Sequence, residues 1–550
     1  MIELFTARSG APSLRMGGRA LHSPYDPAQE ARRFIEQNAG DAPSSVLLLG
    51  EALGYAAGSL RSRFPNARLL LIYYSAEIFD ASSRGTAPAA DLRGAPAWHP
   101  GLQVGLAEFL RQNVGELDLE GLQVLEWPPS ARVFPEVSRA ANQAVRQVVQ
   151  ELNGSFLTTM RAGRLWIRNS IANYLALDAA FTGAPCGGKR PVIIAASGPT
   201  LEEASPLIAR VRSRVDLWAL PSACHTLRVA GLQPDLVVLT DPSFYAMQHL
   251  RFAGVKCPLA MPLSAARGSW ALPVPGAERS GLPVFLLAQP GFFETPLLKS
   301  LGVDAPVVPP HGTVAATAID LALSFTHAPV IVAGLDMCSR GLAAHSRPGE
   351  FDQLLQQAAA RLSPHTSLSF ARAETQGMQK APAAGEARVS PSLRTYAGWF
   401  SEHTDGRSER IFRLLPSPIP LEGMGALDSE SLLDVLKTGT AAEAGPLLHP
   451  FPEIPRLAQR REVVHDLLGA WTAELSAAQV ALSSSGNPAA IGTLPTVLSI
   501  AYHVEPQLLI ETRRAARRGD PSGALSKASE MLSGCMDFVK LLEAKAESGH

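Results

Sequence analysis

The sequence predicts an α/β protein with a Rossmann-like central domain, a smaller α/β domain before it and a helical domain after it. Two stretches alternate short apolar runs with helical segments, over residues 26–73 and 191–333, which is typical of parallel strands joined by helices. From Ser429 onward the apolar residues follow helical spacing. A chain of 550 residues is too long for one core. The predicted domains are residues 1–164, 165–425 and 426–550.

The charge balance and the cysteines exclude several classes of protein. Lys and Arg number 49 and Asp and Glu number 50, a formal net charge of −1, whereas nucleic-acid-binding domains carry a basic excess. The five cysteines are scattered and form no C-x-x-C pair, so we expect neither a disulfide framework nor a structural zinc site. A nucleic-acid partner is not expected.

The hydropathy pattern predicts a cytoplasmic protein without a membrane partner. The N-terminus has no basic region followed by an apolar region, so no signal peptide is expected. No apolar run reaches the roughly 20 residues that cross a bilayer. The oligomeric state does not follow from the sequence.

The first α/β stretch reads as a scaffold rather than a cofactor site. Residues 45–49 and 67–73 form strands, and a turn with Gly50 and Gly54 opens the helix between them. The G-x-G-x-x-G fingerprint is absent, and Tyr74 follows the second strand where a ribose-binding enzyme places an acidic residue. Cofactor binding is the weaker reading here.

The most informative stretch is a buried strand, residues 191–195, followed by the turn Ser197-Gly198-Pro199-Thr200 and a helix. A helix N-terminus carries unpaired N–H groups and partial positive charge, which suits a phosphate. Small residues in the turn allow close approach to the backbone. The alternative is an ordinary turn between strand and helix.

Further strand ends bring polar residues to the same predicted edge of the sheet. Strands over residues 215–220 and 236–239 are followed by Ser222 and Asp241. Ligands of open α/β sheets bind at the carboxyl ends of the strands. Asp241 is equally good as a helix cap before a proline, and both roles are compatible.

A second segment supplies histidines and another strand-end carboxylate. Gly312-Thr313 opens a helix rich in small residues, and a strand over residues 329–333 leads to Asp336. His311 and His345 lie on loops of the same predicted edge. A histidine has a pKa near neutrality and is a natural general base, although a lone loop histidine is more often simply solvated.

The remainder of the chain is less informative. Residues 363–390 are rich in small and polar residues without periodicity, which predicts a loop or an insertion rather than an element. Beyond them we expect a strand over residues 411–415 and then four helical segments near 429–438, 453–482, 488–517 and 521–547.

Taken in order, these motifs resemble the motility-associated-factor (Maf) glycosyltransferases of bacterial flagellin. The resemblance is strongest over about residues 165–420 and rests on the ordered set rather than on one motif. The signals are residues 47–55, the Trp166/Asn169/Asn173 segment, residues 195–201, residues 231–242, residues 312–318, and Gly334-Leu335-Asp336 followed by His345.

The resemblance implies a central domain similar to bacterial sialyltransferases and transfer of a nonulosonic acid, pseudaminic or legionaminic, from its CMP-activated form to Ser or Thr of flagellin. No metal cofactor is implied, and no Asp-x-Asp motif is present at a strand end. The candidate catalytic residues are His345, His311 and Asp336. The candidate residues for donor binding are Ser197, Gly198, Pro199, Thr200, Ser222, Asp241, Gly312 and Thr313.

One departure from the family leaves other functions open. Pro221 stands where family members commonly have Asn, and proline offers neither a side-chain amide nor a backbone N–H. A flagellin-binding assembly factor without turnover is therefore one alternative. Another is an ATP- and Mg²⁺-dependent phosphate transferase, because the central domain is also similar to archaeal pterin diphosphokinases. Asp241 and Asp336 would then be the metal-holding candidates.

Overall fold

The structure is a computed structural model in which part of the chain is described. The described residues are 2–83, 94–186, 188–271, 281–289, 291–309, 311–341, 343–373, 379–380, 387–390, 393–394, 396–398, 400, 409–437, 447–451 and 454–548. In this part of the chain, no helix is both long and apolar enough to cross a membrane.

The chain folds into two compact units. One comprises Met1–Arg161 with Glu474–Asp537, and the other comprises Ala162–Ala473 with Phe538–His550. The first boundary, like the predicted boundary after residue 164, falls inside one continuous helix, Pro135–Ala176. The segment around Trp166, which was expected to open the second domain, therefore continues this helix. The division into three domains stays a prediction.

The amino-terminal part of the first unit contains a three-stranded antiparallel sheet and a four-stranded parallel sheet. The parallel sheet has the order β6-β5-β4-β7, and the strands predicted over residues 45–49 and 67–73 are confirmed as β4 and β5. The strands are β1 (Ile2–Thr6), β2 (Pro12–Met16), β3 (Arg19–Ala20), β4 (Ser45–Glu51), β5 (Arg68–Tyr73), β6 (Ala97–Trp98) and β7 (Leu122–Glu126). The helices are α1 (Pro27–Asn38), α2 (Tyr55–Arg63), α3 (Ala76–Ser83), α4 (Leu106–Asn113), α5 (Pro128–Val133) and α6 (Pro135–Ala176).

The turn after β4 is closed by a carboxylate of the protein itself. Glu51 is fully buried, and it accepts hydrogen bonds from the backbone N–H groups of Ala52, Gly54 and Ala57 at 2.7–3.0 Å. Burial raises the pKa of this carboxyl, and the three hydrogen bonds oppose the rise. Two N–H groups at the start of α2 that a phosphate would use, those of Gly54 and Ala57, are therefore already satisfied, which fits a scaffold.

The second unit is built on a sheet of ten described strands in the order β19-β18-β14-β9-β10-β11-β12-β13-β8-β20. The pairs are parallel except for β20, which runs antiparallel to β8. The main strands are β8 (Phe181–Ala184), β9 (Val192–Ala195), β10 (Asp216–Ala219), β11 (Leu236–Val238), β12 (Leu259–Met261), β13 (Val284–Leu286), β14 (Val330–Ala333), β18 (Ile411–Leu414), β19 (Gly425–Leu427) and β20 (Leu447–Pro450). A smaller sheet contains β15 (Ser339–Arg340), β16 (Gln379–Lys380) and β17 (Ala387–Val389).

The central strands are buried on both faces, as a parallel sheet covered by helices requires. Each residue of β9 and β14 is 0% exposed, and each of their valine and isoleucine side chains contributes roughly 1.5–3 kcal/mol by its removal from water. The helices are α7 (Leu201–Val211), α8 (Cys224–Val229), α9 (Phe244–Ala253), α10 (Glu294–Leu301), α11 (Val314–Phe325), α12 (Glu350–Ala358), α13 (His365–Ala373) and α14 (Ser429–Lys437).

The predicted strands of the central domain are confirmed within one or two residues, as β9, β10, β11, β14 and β18. The expectation of an element-free loop over residues 363–390 is wrong, since the described part of it contains α13, β16 and β17. α13 packs against α12, and this tertiary contact stabilises the helix. The apolar periodicity of α13 is too weak to predict it from the sequence.

The C-terminal region is mainly helical, as predicted, and confirms the fold class. Its strand β20 was not predicted. Helices α16 and α17 belong to the first unit, whereas α15 and α18 contribute to both. These helices are α15 (Leu457–Ser485), α16 (Pro495–Val504), α17 (Pro506–Arg517) and α18 (Pro521–Ser548).

Candidate active site at the carboxyl edge of the large sheet

A pocket of about 380 Å³ opens at the carboxyl ends of the central strands of the second unit. This volume falls in the range of small-molecule sites. Most of the predicted site residues line it, whereas His311, Pro199 and Thr200 are not among its described lining residues. The predicted residues that line the pocket are Ser197, Gly198, Ser222, Asp241, Gly312, Thr313, Asp336 and His345.

The base of the pocket is a close crossing of the turns after β9 and β14. The Gly198 N–H donates to the Gly334 carbonyl oxygen at 2.8 Å. A Cβ atom on Gly198 would lie 2.4 Å from that oxygen and 2.6 Å from Asp336 Oδ2. Gly334 has φ +69°, and a Cβ there would lie 2.5 Å from the Ala196 carbonyl oxygen. Both glycines are therefore required by close approach, and Gly334 also by its backbone conformation.

Asp336 is a buried cap of helix α7. Its carboxylate accepts from the Thr200 N–H at 2.8 Å and from Thr200 Oγ1 at 2.5 Å. Burial raises the pKa of Asp336, and the hydrogen bonds from Thr200 oppose the rise. Two N–H groups that the sequence assigned to a phosphate, those of Gly198 and Thr200, are thus satisfied within the protein. That part of the phosphate prediction needs correction.

Helix α11 presents its N-terminus to the same pocket. Gly312, Thr313, Val314 and Ala315 all line the cavity. Among the described contacts, the side chain of the N-cap residue Thr313 makes no capping hydrogen bond to the helix. The first turn of α11 therefore offers N–H groups and partial positive charge to an anion in the pocket, whereas no residue of α7 is among the described lining residues.

A chain of hydroxyls leads to His345. Ser222 Oγ donates to Ser197 Oγ at 2.8 Å, and Ser197 Oγ lies 3.1 Å from His345 Nδ1. The Ser346 N–H donates to the Ser197 carbonyl oxygen at 2.8 Å, which fixes the loop that carries His345. This arrangement brings polar groups from the ends of β9, β10 and β14 to one place. Pro221, buried at the start of a short 3-10 turn, also lines the pocket.

His311 is placed differently from His345. Its Nε2 lies 2.5 Å from Asp320 Oδ2, a carboxylate on α11. The ring is about 10% exposed and lies outside the described lining of the pocket. The two histidines predicted to share one edge are therefore not both pocket residues.

A further histidine, which sequence reasoning missed, lines the pocket. His249 on α9 has its Nδ1 atom 2.6 Å from Glu350 Oε2, on the first residue of α12. Their side chains are 9% and 1% exposed. The two residues are 101 positions apart, and neither belongs to a motif, so the sequence carried no signal for the pair.

Two asparagines on α6 hold the loops behind Asp241. Asn169 Nδ2 donates to the Pro242 carbonyl oxygen at 2.9 Å, and Asn173 Nδ2 donates to the carbonyl oxygens of Leu263 and Ala265 at 2.8 and 3.0 Å. Asn169 and Asn173 are among the residues on which the resemblance to Maf glycosyltransferases rests. Their contacts show that they position the loops at Pro242 and at residues 263–265.

Asp241 itself is exposed at the rim of the pocket. Its Oδ1 accepts from the Ser243 N–H at 2.7 Å, and its carbonyl oxygen accepts from the Ala266 N–H at 3.0 Å. Ser243, not Asp241, is the N-cap of α9. Among the described residues, no group of three or more His, Cys, Asp or Glu side chains is arranged to hold a metal ion.

The central part of the chain matches one protein-family model. Residues 168–341 match the model for MptE-like proteins, described as 6-hydroxymethylpterin diphosphokinase MptE-like. An uncharacterized protein of Treponema pallidum (strain Nichols) is 23% identical over 309 residues, which cover 56% of this chain and 63% of that protein. A second from the same organism is 26% identical over 237 residues, covering 40% and 39%. The chain thus matches less than two thirds of the length of either relative.

One solved structure aligns with the whole chain. The structure of the Maf glycosyltransferase from Magnetospirillum magneticum AMB-1 is 13% identical, with a TM-score of 0.61, and the alignment covers 100% of this chain and 92% of that one. At this identity the likeness is one of fold. It confirms the resemblance to Maf glycosyltransferases and the fold class that the sequence predicted.

Proposed function

We propose that this protein is a glycosyltransferase that moves a nonulosonic acid, of the pseudaminic or legionaminic type, from a CMP-activated donor to Ser or Thr of flagellin. The observation that carries the proposal is the pocket itself, in which His345, the Ser197 and Ser222 hydroxyls and the N-terminus of α11 converge. The fold shared with a Maf glycosyltransferase supports it.

The chemistry of such a transfer needs three things from the protein. The donor's phosphate must be held, its sugar must be oriented, and the acceptor hydroxyl must lose a proton as it attacks the anomeric carbon. Because CMP is already a good leaving group, no metal is required in the proposed reaction. A pocket histidine takes the proton, and His345 is the sequence-predicted candidate that lines the pocket.

The donor phosphate is proposed to sit against the first turn of α11. N–H groups of the first turn stabilise an anion and the charge that develops on the leaving group. The hydroxyls of Ser197 and Ser222 and the backbone at Gly312 and Thr313 border the same space. The reaction is proposed to take place in the cytoplasm.

The alternatives find less support. An ATP- and Mg²⁺-dependent phosphate transfer needs carboxylates that hold metal. Asp336 would have to give up its hydrogen bonds to Thr200, so the MptE-like match does not favour this reading. A flagellin-binding factor without turnover was suggested by Pro221, and it differs from a transferase in leaving the mass of flagellin unchanged.

Ligand-dependent stabilisation tests the proposed donor. The melting temperature of the full chain should rise with CMP in the presence of EDTA, because a ligand that binds only the folded state stabilises it. Ser222→Ala should reduce the rise, whereas Ser205→Ala should not, since Ser205 Oγ bonds the Leu201 carbonyl oxygen outside the pocket. Stabilisation by ATP with Mg²⁺ but not by CMP would contradict the proposal.

A further inference from the structure

The pocket contains a histidine whose partner is a carboxylate. His249 Nδ1 and Glu350 Oε2 lie 2.6 Å apart, and Glu350 is 1% exposed. A carboxylate oxygen accepts hydrogen bonds, so this contact selects the tautomer of the ring in which Nδ1 carries the proton and Nε2 is the accepting nitrogen. A ring fixed in this tautomer is the form that a general base requires.

Hydrogen bonds hold the segment that leads into Glu350. Thr226 Oγ1 lies 2.9 Å from Ser346 Oγ and donates to the Pro348 carbonyl oxygen at 3.2 Å. The Ser346 N–H is bonded to the Ser197 carbonyl oxygen. The segment that leads into Glu350 at the start of α12 is thus tied both to α8 and to the turn after β9. Preorganisation of this kind is what a reacting group needs.

Glu350 also has a buried oxygen atom outside its contact with His249. Its second oxygen, Oε1, is buried and has no hydrogen-bond partner among the described residues. A buried carboxylate with an unsatisfied oxygen carries a desolvation penalty. A purely structural contact between α9 and α12 would be made at lower cost by a neutral side chain, which suggests that the charge serves the histidine.

Among the described lining residues of the pocket, His249 and His345 have different groups next to their Nδ1 atoms. A base that takes a proton becomes cationic, and a carboxylate on its other nitrogen stabilises that cation. His249 Nδ1 faces such a carboxylate, whereas His345 Nδ1 lies next to the neutral Ser197 hydroxyl. His311 also pairs with a carboxylate but lies outside the described pocket lining.

We propose that His249, positioned by Glu350, is the general base of the transfer, and that Ser197 and His345 serve the leaving group. This inference rests on the proposed function. In the step, the acceptor oxygen forms a bond to the anomeric carbon while the bond from that carbon to the phosphate oxygen breaks. The hydroxyl proton passes to His249 Nε2, and the electron pair leaves with CMP.

The test compares three variants of the full chain in transfer kinetics with CMP-pseudaminic acid and CMP-legionaminic acid, and in calorimetric binding of CMP. His249→Gln should lower kcat by about 100-fold or more while the Kd for CMP changes little. Glu350→Gln keeps the shape and can still accept from Nδ1, yet it should lower kcat by about 10-fold or more with KM unchanged.

The control is His225→Gln. His225 is buried and contacts Gln353 on the same helix α12, but it is not among the pocket residues, so its kcat should stay near that of the unaltered protein.

Each outcome decides a different claim. Unchanged kcat in His249→Gln, or in Glu350→Gln, overturns the base assignment and leaves the transferase proposal intact. If His249→Gln does not fold, kcat of Glu350→Gln carries the test. A wild-type chain that neither binds CMP nor transfers either sugar overturns the proposed function, and the assignment with it.

Discussion

The Asp336 carboxylate, at the end of β14, caps helix α7 by accepting from the N–H and the hydroxyl of Thr200, at 2.8 and 2.5 Å. The two residues are 136 positions apart. They meet because β9 and β14 are neighbours in the sheet, with Ala195 and Ala333 in register. A negative charge supplied by the protein thus occupies the helix end that the sequence assigned to a phosphate. In the proposed function, the donor phosphate therefore binds at the N-terminus of α11 instead.

Asp336→Ala should destabilise the second unit by about 1–3 kcal/mol, because it leaves the buried Thr200 donors without an acceptor. Denaturant unfolding of the full chain measures the loss. Asp304→Ala, at an exposed position of the same unit, is the matched control and should change the free energy of unfolding by less than about 0.5 kcal/mol. An equal stability of both variants would refute the capping role.

Gly198→Ala should destabilise the protein by about 1–3 kcal/mol or more, because the added Cβ overlaps the Gly334 carbonyl oxygen and the Asp336 carboxylate. Gly154→Ala is the control, since a Cβ there meets nothing within 4 Å and the substitution favours helix α6. Thermal unfolding of both variants checks this. A Gly198→Ala protein as stable as the wild type would show that the turn can widen.

Asn173→Ala should loosen the loop behind Asp241, since two carbonyl oxygens lose their donor. We expect a loss of about 1–3 kcal/mol in the free energy of unfolding and weaker CMP binding in calorimetry. Asn153→Ala, exposed on the same helix, should affect neither. If CMP binding survives an Asn173 variant that is clearly destabilised, the loop does not shape the donor site.

The stability of the second unit should fall between about pH 4.5 and pH 7 because of Glu294. Burial raises the pKa of this carboxyl from 4.5 to about 7, against hydrogen bonds from Ser264, Gln289 and Ser170. In that range the folded protein keeps a proton that the unfolded chain has lost, so stability falls as pH rises, by up to ~3 kcal/mol in total.

Glu294→Gln removes this titration. The difference in unfolding free energy between Glu294→Gln and the wild type should therefore shift in favour of the variant as pH rises from 4.5 to 7, and stay constant above that. Urea unfolding at several pH values measures it, with exposed Glu136→Gln as the control. A difference that does not change with pH would mean that the carboxyl titrates normally.

The sequence could predict much of the sheet and of its polar edge. Strands such as β9 and β14 are continuous apolar runs because both of their faces are buried, and the turn after each contains a glycine or a polar residue. The rule that ligands gather at the carboxyl ends of parallel strands then placed Ser197, Ser222 and Asp241 together.

The pairings within the site could not be predicted, because they depend on which elements become neighbours. Nothing local indicates that Asp336 reaches Thr200 or that Glu350 reaches His249. His311 shows the reverse case: it lies next to the pocket residue Gly312 in sequence, yet its side chain pairs with Asp320. The edge strand β20 was not predicted either, because its pairing with β8, rather than an apolar sequence pattern, defines it.

The most direct test of the proposed transfer is the intact mass of flagellin after incubation with the full-length protein, CMP-pseudaminic or CMP-legionaminic acid, and EDTA. We expect a mass increase of one or more nonulosonic acid residues with release of CMP, and strong loss of both in His345→Ala and His249→Gln proteins that still melt cooperatively. Flagellin of unchanged mass with either donor, from a protein that is folded, would contradict the proposed function.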